Sequence, residues 1–467
     1  MVSRVITLFA IFLLMYRYYD QDAFGYWATI TASAAFLVCL ATMRLELALV
    51  LPKYDFQARQ LMVAIMLNSM IVVLLVLLLL LVYNDYILLY IKLNYAWLIY
   101  LVPVLLFTKT IQEASRLWLT RKKRFSTLAV IQVIGAVIMP CIAVLLAEVY
   151  SPQAWQLSLA AAISQFIIAL VMLACAYHNG CLYGTEKLSA KSIKRQINKY
   201  RVYPFFMMPY TLSQGITQHV FVLLLGIYYT QAVVGAFSLA KRLFYAPVNM
   251  LVSPLRQVFY AHGRHDAGLL VSQQRVTKLL FMQALILPAG VVLLHQQGIE
   301  WVFSGIEDSF QETESFAHWL LLPAVTVALT GWLDRFYDLY GKQRLAVKLQ
   351  ILSDCFVFAS VLTAMLVVED ALGVIKVFSV TLFLYDLFWL AVTLQMIGVT
   401  QHMITRFFVL FAVNAGLCWL LFSLFDQLWP SFAALTAKII MLGCLVFVVF
   451  SGRWQKVLSR APVWGYF

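Results

Sequence analysis

An all-α polytopic membrane protein of about fourteen transmembrane helices is the fold class this sequence predicts, and three observations lead there. Of the 467 residues, 63% are hydrophobic and only 12% charged, against about 45–50% and about 25% in ordinary soluble domains. The apolar residues gather in runs near the roughly 20 residues that a helix needs to cross about 30 Å of hydrocarbon. The charges collect in the gaps between runs and are sorted by sign. With a mean hydropathy of +0.87, a soluble globular chain is excluded. The seven Cys lie mostly inside apolar runs without a CxxC pair or metal-ligand spacing, so neither a disulfide framework nor a structural metal is expected.

Charged or Pro/Gly-containing gaps set the borders of the runs. Val2 to Tyr19 is the shortest useful span at about 1.5 Å per residue; Arg17-Tyr18-Tyr19-Asp20 follows its apolar part where a signal peptide would carry small residues for cleavage. Phe24 to Met43 ends at Arg44, Leu61 to Tyr83 at an Asn-Asp pair, Tyr95 to Leu117 at a basic cluster, Leu128 to Val149 at Ser151-Pro152, and Trp155 to Tyr177 at His178. After a polar gap come Val202 to Tyr228, Ala232 to Leu251, Leu279 to Ile299, Phe316 to Tyr337, Leu345 to Val368, Val374 to Ile397, Phe407 to Phe425 and Phe432 to Phe450.

With the N-terminus placed in the cytoplasm, the loops separate by charge. One set holds Arg44, Lys53 and Arg59, then Arg121 to Arg124, then Lys187, Lys191, Lys194, Arg195, Lys199 and Arg201, with further Lys and Arg down to Arg460. The opposite set is mainly acidic, Glu300 to Glu314 above all, with Lys92 as an exception. Cytoplasmic loops collect Lys and Arg, so both termini are expected in the cytoplasm.

The connection 178–201 divides six runs from eight. This predicts an N-terminal lobe at 1–177, a basic linker at 178–201, a second lobe at 202–397 and a final helix pair with tail at 398–467. In the linker, Ile193, Ile197 and Tyr200 share one helical face while Lys194, Arg195 and Lys199 lie elsewhere. Two readings stand: a solvated linker, or a basic amphipathic helix on an anionic leaflet. Phe24-Gly25-Tyr26-Trp27-Ala28 and Gly235-Ala236-Phe237-Ser238-Leu239-Ala240 open the second and eighth runs as a faint internal echo. Lobes of even span number share orientation, which predicts a pseudo-two-fold along the membrane normal with a cavity between them.

Several stretches carry a family resemblance: Asp22-Ala23-Phe24-Gly25 preceded by Arg17, Arg44-Leu45-Glu46 through Pro52, Trp118-Leu119-Thr120-Arg121-Lys122-Lys123-Arg124-Phe125, Tyr203-Pro204, Gly235 through Arg242 with Pro247, and Gly341-Lys342-Gln343-Arg344. In order and spacing the chain resembles the polysaccharide repeat-unit flippases (Wzx type) of the multidrug/oligosaccharidyl-lipid/polysaccharide exporter superfamily. Tyr19-Asp20-Gln21-Asp22 departs from the Gly-Pro turn of that family, and fewer residues precede the first span. The resemblance implies two six-helix lobes plus two C-terminal helices, moving undecaprenyl-diphosphate-linked oligosaccharide by alternating access. It implies no enzymatic activity and no cofactor, and as partners the lipid-linked oligosaccharide, membrane lipid, a coupling H+ or Na+, and polysaccharide polymerase and chain-length machinery, without nucleic acid. No Gly-x-x-x-x-Gly-Lys-Ser/Thr loop for a nucleotide is present.

Charges inside the runs give the site candidates, because an ionisable group at mid-bilayer costs about 2.5–3.5 kcal/mol on insertion scales. Lys241 and Arg242 lie near the centre of the eighth run and either face a cavity or snorkel to headgroups. Lys109, Glu113 and Arg116 fall at i, i+4 and i+7 on one face of the fourth run, with an internal Lys109–Glu113 pair as the alternative to contact with cargo. Lys241, Arg242, Lys109 and, through the resemblance, Arg17 are the substrate-binding candidates. Glu113, Asp334, Asp338, Asp354 and Asp386 are candidates for ion coupling or charge pairing. Two metal-like patterns, His262-Gly263-Arg264-His265-Asp266 and the Asp334/Asp338 pair, lack a second ligand set, so no metal is expected. Rival readings are a multidrug exporter, a peptidoglycan-precursor flippase, and a polymerase or ligase; the last normally needs a large basic outer loop, where this chain has the short acidic stretch at Glu300 to Ser315.

Overall fold

The computed structural model describes residues 2–84, 86, 94–181, 189–265, 269–303, 310–334, 336–428 and 431–450. Among them all regular structure is helical, without a strand. The helices are α1 (Val2–Arg17), α2 (Gln21–Thr42), α3 (Asp55–Val82), α4 (Leu101–Arg121), α5 (Phe125–Tyr150), α6 (Gln156–His178), the short α7 (Ala190–Lys199), α8 (Met208–Gly215), α9 (Phe221–Tyr228), α10 (Gln231–His265), α11 (Leu269–Leu293), α12 (Ile299–Phe303), α13 (Gln311–Thr330), α14 (Phe336–Leu339), α15 (Gln343–Val367), α16 (Ala371–Ile397), α17 (Gln401–Leu428) and α18 (Ser431–Phe450). Every predicted apolar run carries helix. Eight helical stretches among the described residues are long and apolar enough to cross a membrane; the fourteen-crossing topology is taken up below as a proposal.

Close contacts group the chain into two units, Met1–Leu243 with Ile306–Thr313 and Gln350–Val374, and Phe244–Gly305 with Glu314–Leu349 and Ile375–Phe467.

In the first unit α4 packs against α2, α3 and α6, and α1 packs against α5. The apolar outer face of α3 is bare: Met70, Ile71, Leu74 and Leu78 are all more than half exposed, as lipid contact requires. Asp20 caps α2 by accepting from the Ala23 N–H at 3.1 Å. At its other end Met43 and Arg44 take positive φ and turn the chain into the 3-10 segment Leu45–Val50, while Asn68 donates to the Leu40 and Ala41 carbonyls at 2.9 and 2.8 Å. Arg121 donates to the Pro52 carbonyl at 2.6 Å and to Asp55 at 3.0 Å, and Lys122 also meets Asp55. Two of the family-like motifs thus clamp neighbouring loops together. The apolar face of α7 is covered by protein, because Ile197 and Tyr200 pack on the cluster of Leu45, Leu49 and Leu61; residues 182–188 of the linker lie outside the described residues.

The two echoing segments meet. A Cβ on Gly25 would stand 1.8 Å from the Gln231 carbonyl oxygen, and one on Gly235 1.9 Å from that of Gln21. Only glycine permits this backbone approach, and Thr29 donates to the Gln231 side chain at 2.9 Å beside it.

In the second unit α11 packs against α17 and α18 around a core that includes Val252, Trp332, Phe336 and Phe407. The predicted tenth run is corrected here. α13 stops at Thr330, and Asp334 sits in the following turn rather than on a helix. Gly331 is pressed against Val252, and Arg256 donates to the Gly331 carbonyl at 3.0 Å while pairing with Asp334 at 3.1 Å. Arg256 satisfies a helix-end carbonyl that would otherwise lack a donor. In the final helix pair, Lys438 is fully buried with its ammonium 2.7 and 2.6 Å from the two carboxylate oxygens of Asp426. Sequence reading had singled out neither as a site.

Gly235→Ala is expected to lower stability by about 1–3 kcal/mol, the usual effect of overpacking, because two backbones must separate. Gly416→Ala in α17, with nothing within 4 Å of the added carbon, should be neutral or raise stability by about 0.5–1 kcal/mol. Melting curves of detergent-purified protein compare the two; equal shifts would refute the close crossing.

Candidate functional site

The first unit holds a chain of charged groups on apolar helices. α4 contributes Lys109, Glu113 and Arg116 along one face, the 3.6-residue repeat bringing every third or fourth side chain to the same side. Glu113 pairs with Arg116, whose Nε lies 3.1 Å from the carboxylate. Among the described residues no carboxylate comes within ion-pair distance of Lys109 or Arg242. The internal Lys109–Glu113 pair is therefore not what forms. Lys109 instead lies in the electrostatic field of Arg242 as well as Glu113.

α10 supplies Lys241 and Arg242 ten and eleven residues after its first residue, about 16 Å along the axis. Upstream of them Val233 to Ala240 are all buried, Ser238 included, whose hydroxyl donates to the Gly235 carbonyl at 3.0 Å. The sequence therefore seats this half of α10 in protein and releases it at the two cations. The Arg242 guanidinium carbon lies 3.5 Å from the centroid of the Trp27 ring on α2. This is a close cation–π stack, worth about 2 kcal/mol when desolvated. Lys241 has its ammonium 5.6 Å from the Phe237 ring. His219, between α8 and α9, lies within the field of both Lys241 and Lys109.

Lys109, Lys241 and Arg242 thus stand beside the Glu113–Arg116 pair. Each like-charge neighbour raises the others' energy in a medium less polar than water. What such a cluster can do is hold an anion, exchanging its lost hydration for charge-assisted hydrogen bonds. Among the described residues no group of three or more His, Cys, Asp or Glu could hold a metal ion.

Nearer the turn after α2, Arg44 donates to Thr211 at 2.9 Å and pairs with Glu46 at 3.0 Å. Glu46 is 1% exposed and shares the field of Glu113.

The other candidates divide. Arg17 is exposed at the end of α1, 5.7 Å over the Tyr18 ring, and is not brought together with the cation cluster. Asp354 on α15 is buried and accepts from Ser213 and Thr217 at 2.7 Å each, and from Gln350 at 3.1 Å. Asp386 on α16 accepts from Thr326, and Asp334 serves Arg256. The side chain of Asp338 and those of the His262–Asp266 stretch lie outside the described residues. Sequence reasoning missed Trp27, His219 and the hydroxyl pair around Asp354. Ser213 and Thr217 are four apart, so their shared helical face was available as a signal; the stacking of Trp27 on Arg242, across two helices distant in sequence, was not.

Known proteins can now be set beside this geometry. The family model described as "Polysaccharide biosynthesis protein" matches residues 14–296. The chain belongs to the polysaccharide biosynthesis protein family. Among solved structures, this family member is similar over 98% of both chains to a lipid II flippase MurJ in an inward closed conformation, with a TM-score of 0.76 at 13% identity. It is similar over 86% of its length, and 95% of the other chain, to an inward-facing multidrug resistance MATE family transporter of the MOP superfamily, with a TM-score of 0.56 and again 13% identity. The fold is the MurJ/MATE fold, all-α and membrane-embedded, as the sequence predicts. No curated protein matches the sequence significantly.

Thr217→Val should destabilise this polysaccharide biosynthesis family member by about 1–3 kcal/mol, the price of leaving a buried carboxylate one donor short. Asp354→Asn, which keeps an acceptor oxygen, should lose less. Thermal denaturation in detergent ranks the two variants, and an unchanged melting temperature in Thr217→Val would show that Asp354 does not depend on these hydroxyls.

Proposed function

We propose that this protein is a flippase that carries undecaprenyl-diphosphate-linked oligosaccharide repeat units across the bacterial inner membrane by alternating access, without enzymatic activity. The observation that carries the reading is the interior cluster of Lys109, Lys241 and Arg242, in which Lys109 and Arg242 have no carboxylate at ion-pair distance among the described residues. Cations left unneutralised on apolar helices are costly, and a diphosphate passing between them would relieve that cost. A multidrug exporter for cationic compounds is disfavoured, since the cluster repels such cargo.

The fold likeness to a lipid II flippase supports a second reading, transport of a peptidoglycan precursor, which shares the diphosphate lipid and differs in the sugar. The family match favours repeat units. In this proposal the end bearing Arg4, Arg121 and α7 faces the cytoplasm, fourteen helices cross, the lobes divide at 177 and 202 with the last two helices beyond 397, and lipopolysaccharide or exopolysaccharide polymerase and chain-length machinery take the product.

Arg242→Glu should abolish surface glycan while the protein inserts at normal level. At about 4 Å and an effective dielectric near 20, roughly 4 kcal/mol of attraction to a phosphate becomes the same repulsion. Arg242→Gln, retaining donors, should be milder. A Glu variant with full surface polysaccharide would defeat the cationic-path reading.

We further propose gradient coupling through Asp354 or Asp386, acids on apolar helices that accept from neutral hydroxyl donors. Uptake of a lipid-linked repeat unit into inverted vesicles without ATP should stop when proton and sodium gradients are both collapsed. Undiminished uptake would leave these acids with a structural role.

A further inference from the structure

A cavity of about 480 Å³ opens within the N-terminal helices, between α1, α4, α5 and α6. It adjoins the cation cluster and is lined by Arg4 as well as by neutral polar side chains. Gln112, Gln132, Gln165, Ser3, Thr7 and Ser164 are among its lining residues, with the Thr7 hydroxyl donating to the Ser3 carbonyl. The Gln165 side-chain oxygen is buried without a hydrogen-bond partner, and Ser164 is 2% exposed. Gln112 is fixed by donating to the Gln165 carbonyl at 2.7 Å.

The sequence of α5 is built for this cavity. Gln132, Gly135, Ala136, Met139 and Pro140 line it, at the i, i+3, i+4, i+7, i+8 spacing of one helical face, while Val130, Ile134 and Val137 are exposed away from it. Pro140 has no N–H for the Ala136 carbonyl, so a further backbone acceptor is freed on the lining face. Backbone acceptors freed by a proline inside a helix are tolerated at membrane depth where polar groups can meet them.

We infer that this cavity is a carbohydrate subsite, taking the sugar nearest the diphosphate of the cargo. The inference rests on the flippase reading and names where its sugar goes. Pyranose hydroxyls both donate and accept, which amides and hydroxyls match and a lipid tail cannot use. The size falls within the roughly 300–1,000 Å³ of small-ligand sites. Trp27 joins the two places: it lines the cavity and its ring carries the Arg242 guanidinium. Glu113 and Arg116 also reach into the cavity. A diphosphate held by Arg242 and Lys109 therefore has its first sugar at the cavity mouth.

The test compares two charge-matched probes on protein in nanodiscs, farnesyl diphosphate capped with a methyl group and the same lipid diphosphate capped with a disaccharide. The disaccharide probe should bind about tenfold tighter, the yield of a few net hydrogen bonds. The Gln112→Leu/Gln165→Leu pair should erase that preference and leave methyl-probe affinity unchanged, and Gln132→Trp, which fills the mouth from an exposed position, should do the same should the pair fold poorly. Arg242→Gln should weaken both probes by one factor. No preference in the native protein, or a preference that survives both glutamine variants, overturns the subsite while the diphosphate reading stands. A methyl probe indifferent to Arg242→Gln overturns the diphosphate reading and the subsite with it.

Discussion

Everything in the first unit is arranged around a charge that lipid will not accept. Arg242 sits on a helix whose preceding residues are buried and apolar, and among the described residues no carboxylate neutralises it. It is tolerated because the Trp27 ring offers its electron-rich face at 3.5 Å, which lowers the energy of the guanidinium without cancelling its charge. A carboxylate partner would have been more stabilising and would also have competed with an anionic cargo. An aromatic partner lets the guanidinium fold into place with its charge intact, which is what the proposed anion-binding role needs.

That choice constrains the helices around it. Trp27 on α2 and Arg242 on α10 must approach closely, and the glycines two and seven residues before them make the approach feasible. Gly25 and Gly235 let the two backbones touch, and the Thr29–Gln231 hydrogen bond fixes the register. The short motifs that carry the family resemblance therefore divide by role. Those around Gly25 and Gly235 set the helix crossing, those around Arg44 and Arg121 tie the loops at the basic end, and the Gly235–Arg242 stretch ends on the two cations of the proposed site.

Much of the fold was legible because hydrophobic thickness is a length, and a length is readable from a run of residues. Helix falls on every predicted run, and the cations that matter were visible as charges where none should be. Partners were not legible. Glu113 could have served Lys109 or Arg116 by spacing alone, and the structure selects Arg116. Asp334 read as helical and four residues from Asp338, yet the helix ends at Thr330 and Asp334 turns to pair with Arg256. Arg17 carried a motif but not a position near the cluster. Spacing within one helix fixes a face, whereas pairing between helices depends on contacts far apart in sequence, such as Thr217 with Asp354, 137 residues apart.

The two kinds of buried charge also explain one another. The acids Asp354 and Asp386 are held by hydroxyls and an amide, neutral donors that satisfy a carboxylate while leaving its charge uncompensated. The cations Lys109 and Arg242 are likewise held without neutralisation. Had the chain been selected for stability alone, these opposite charges would have been placed in pairs, as Lys438 and Asp426 are. The contrast between a fully satisfied pair in the last two helices and uncompensated charges elsewhere is what the proposed ligand roles of Lys109, Arg242, Asp354 and Asp386 would account for. An anion and a small cation are the species that would complete the second set, and a carrier of lipid-linked diphosphate driven by an ion gradient requires both.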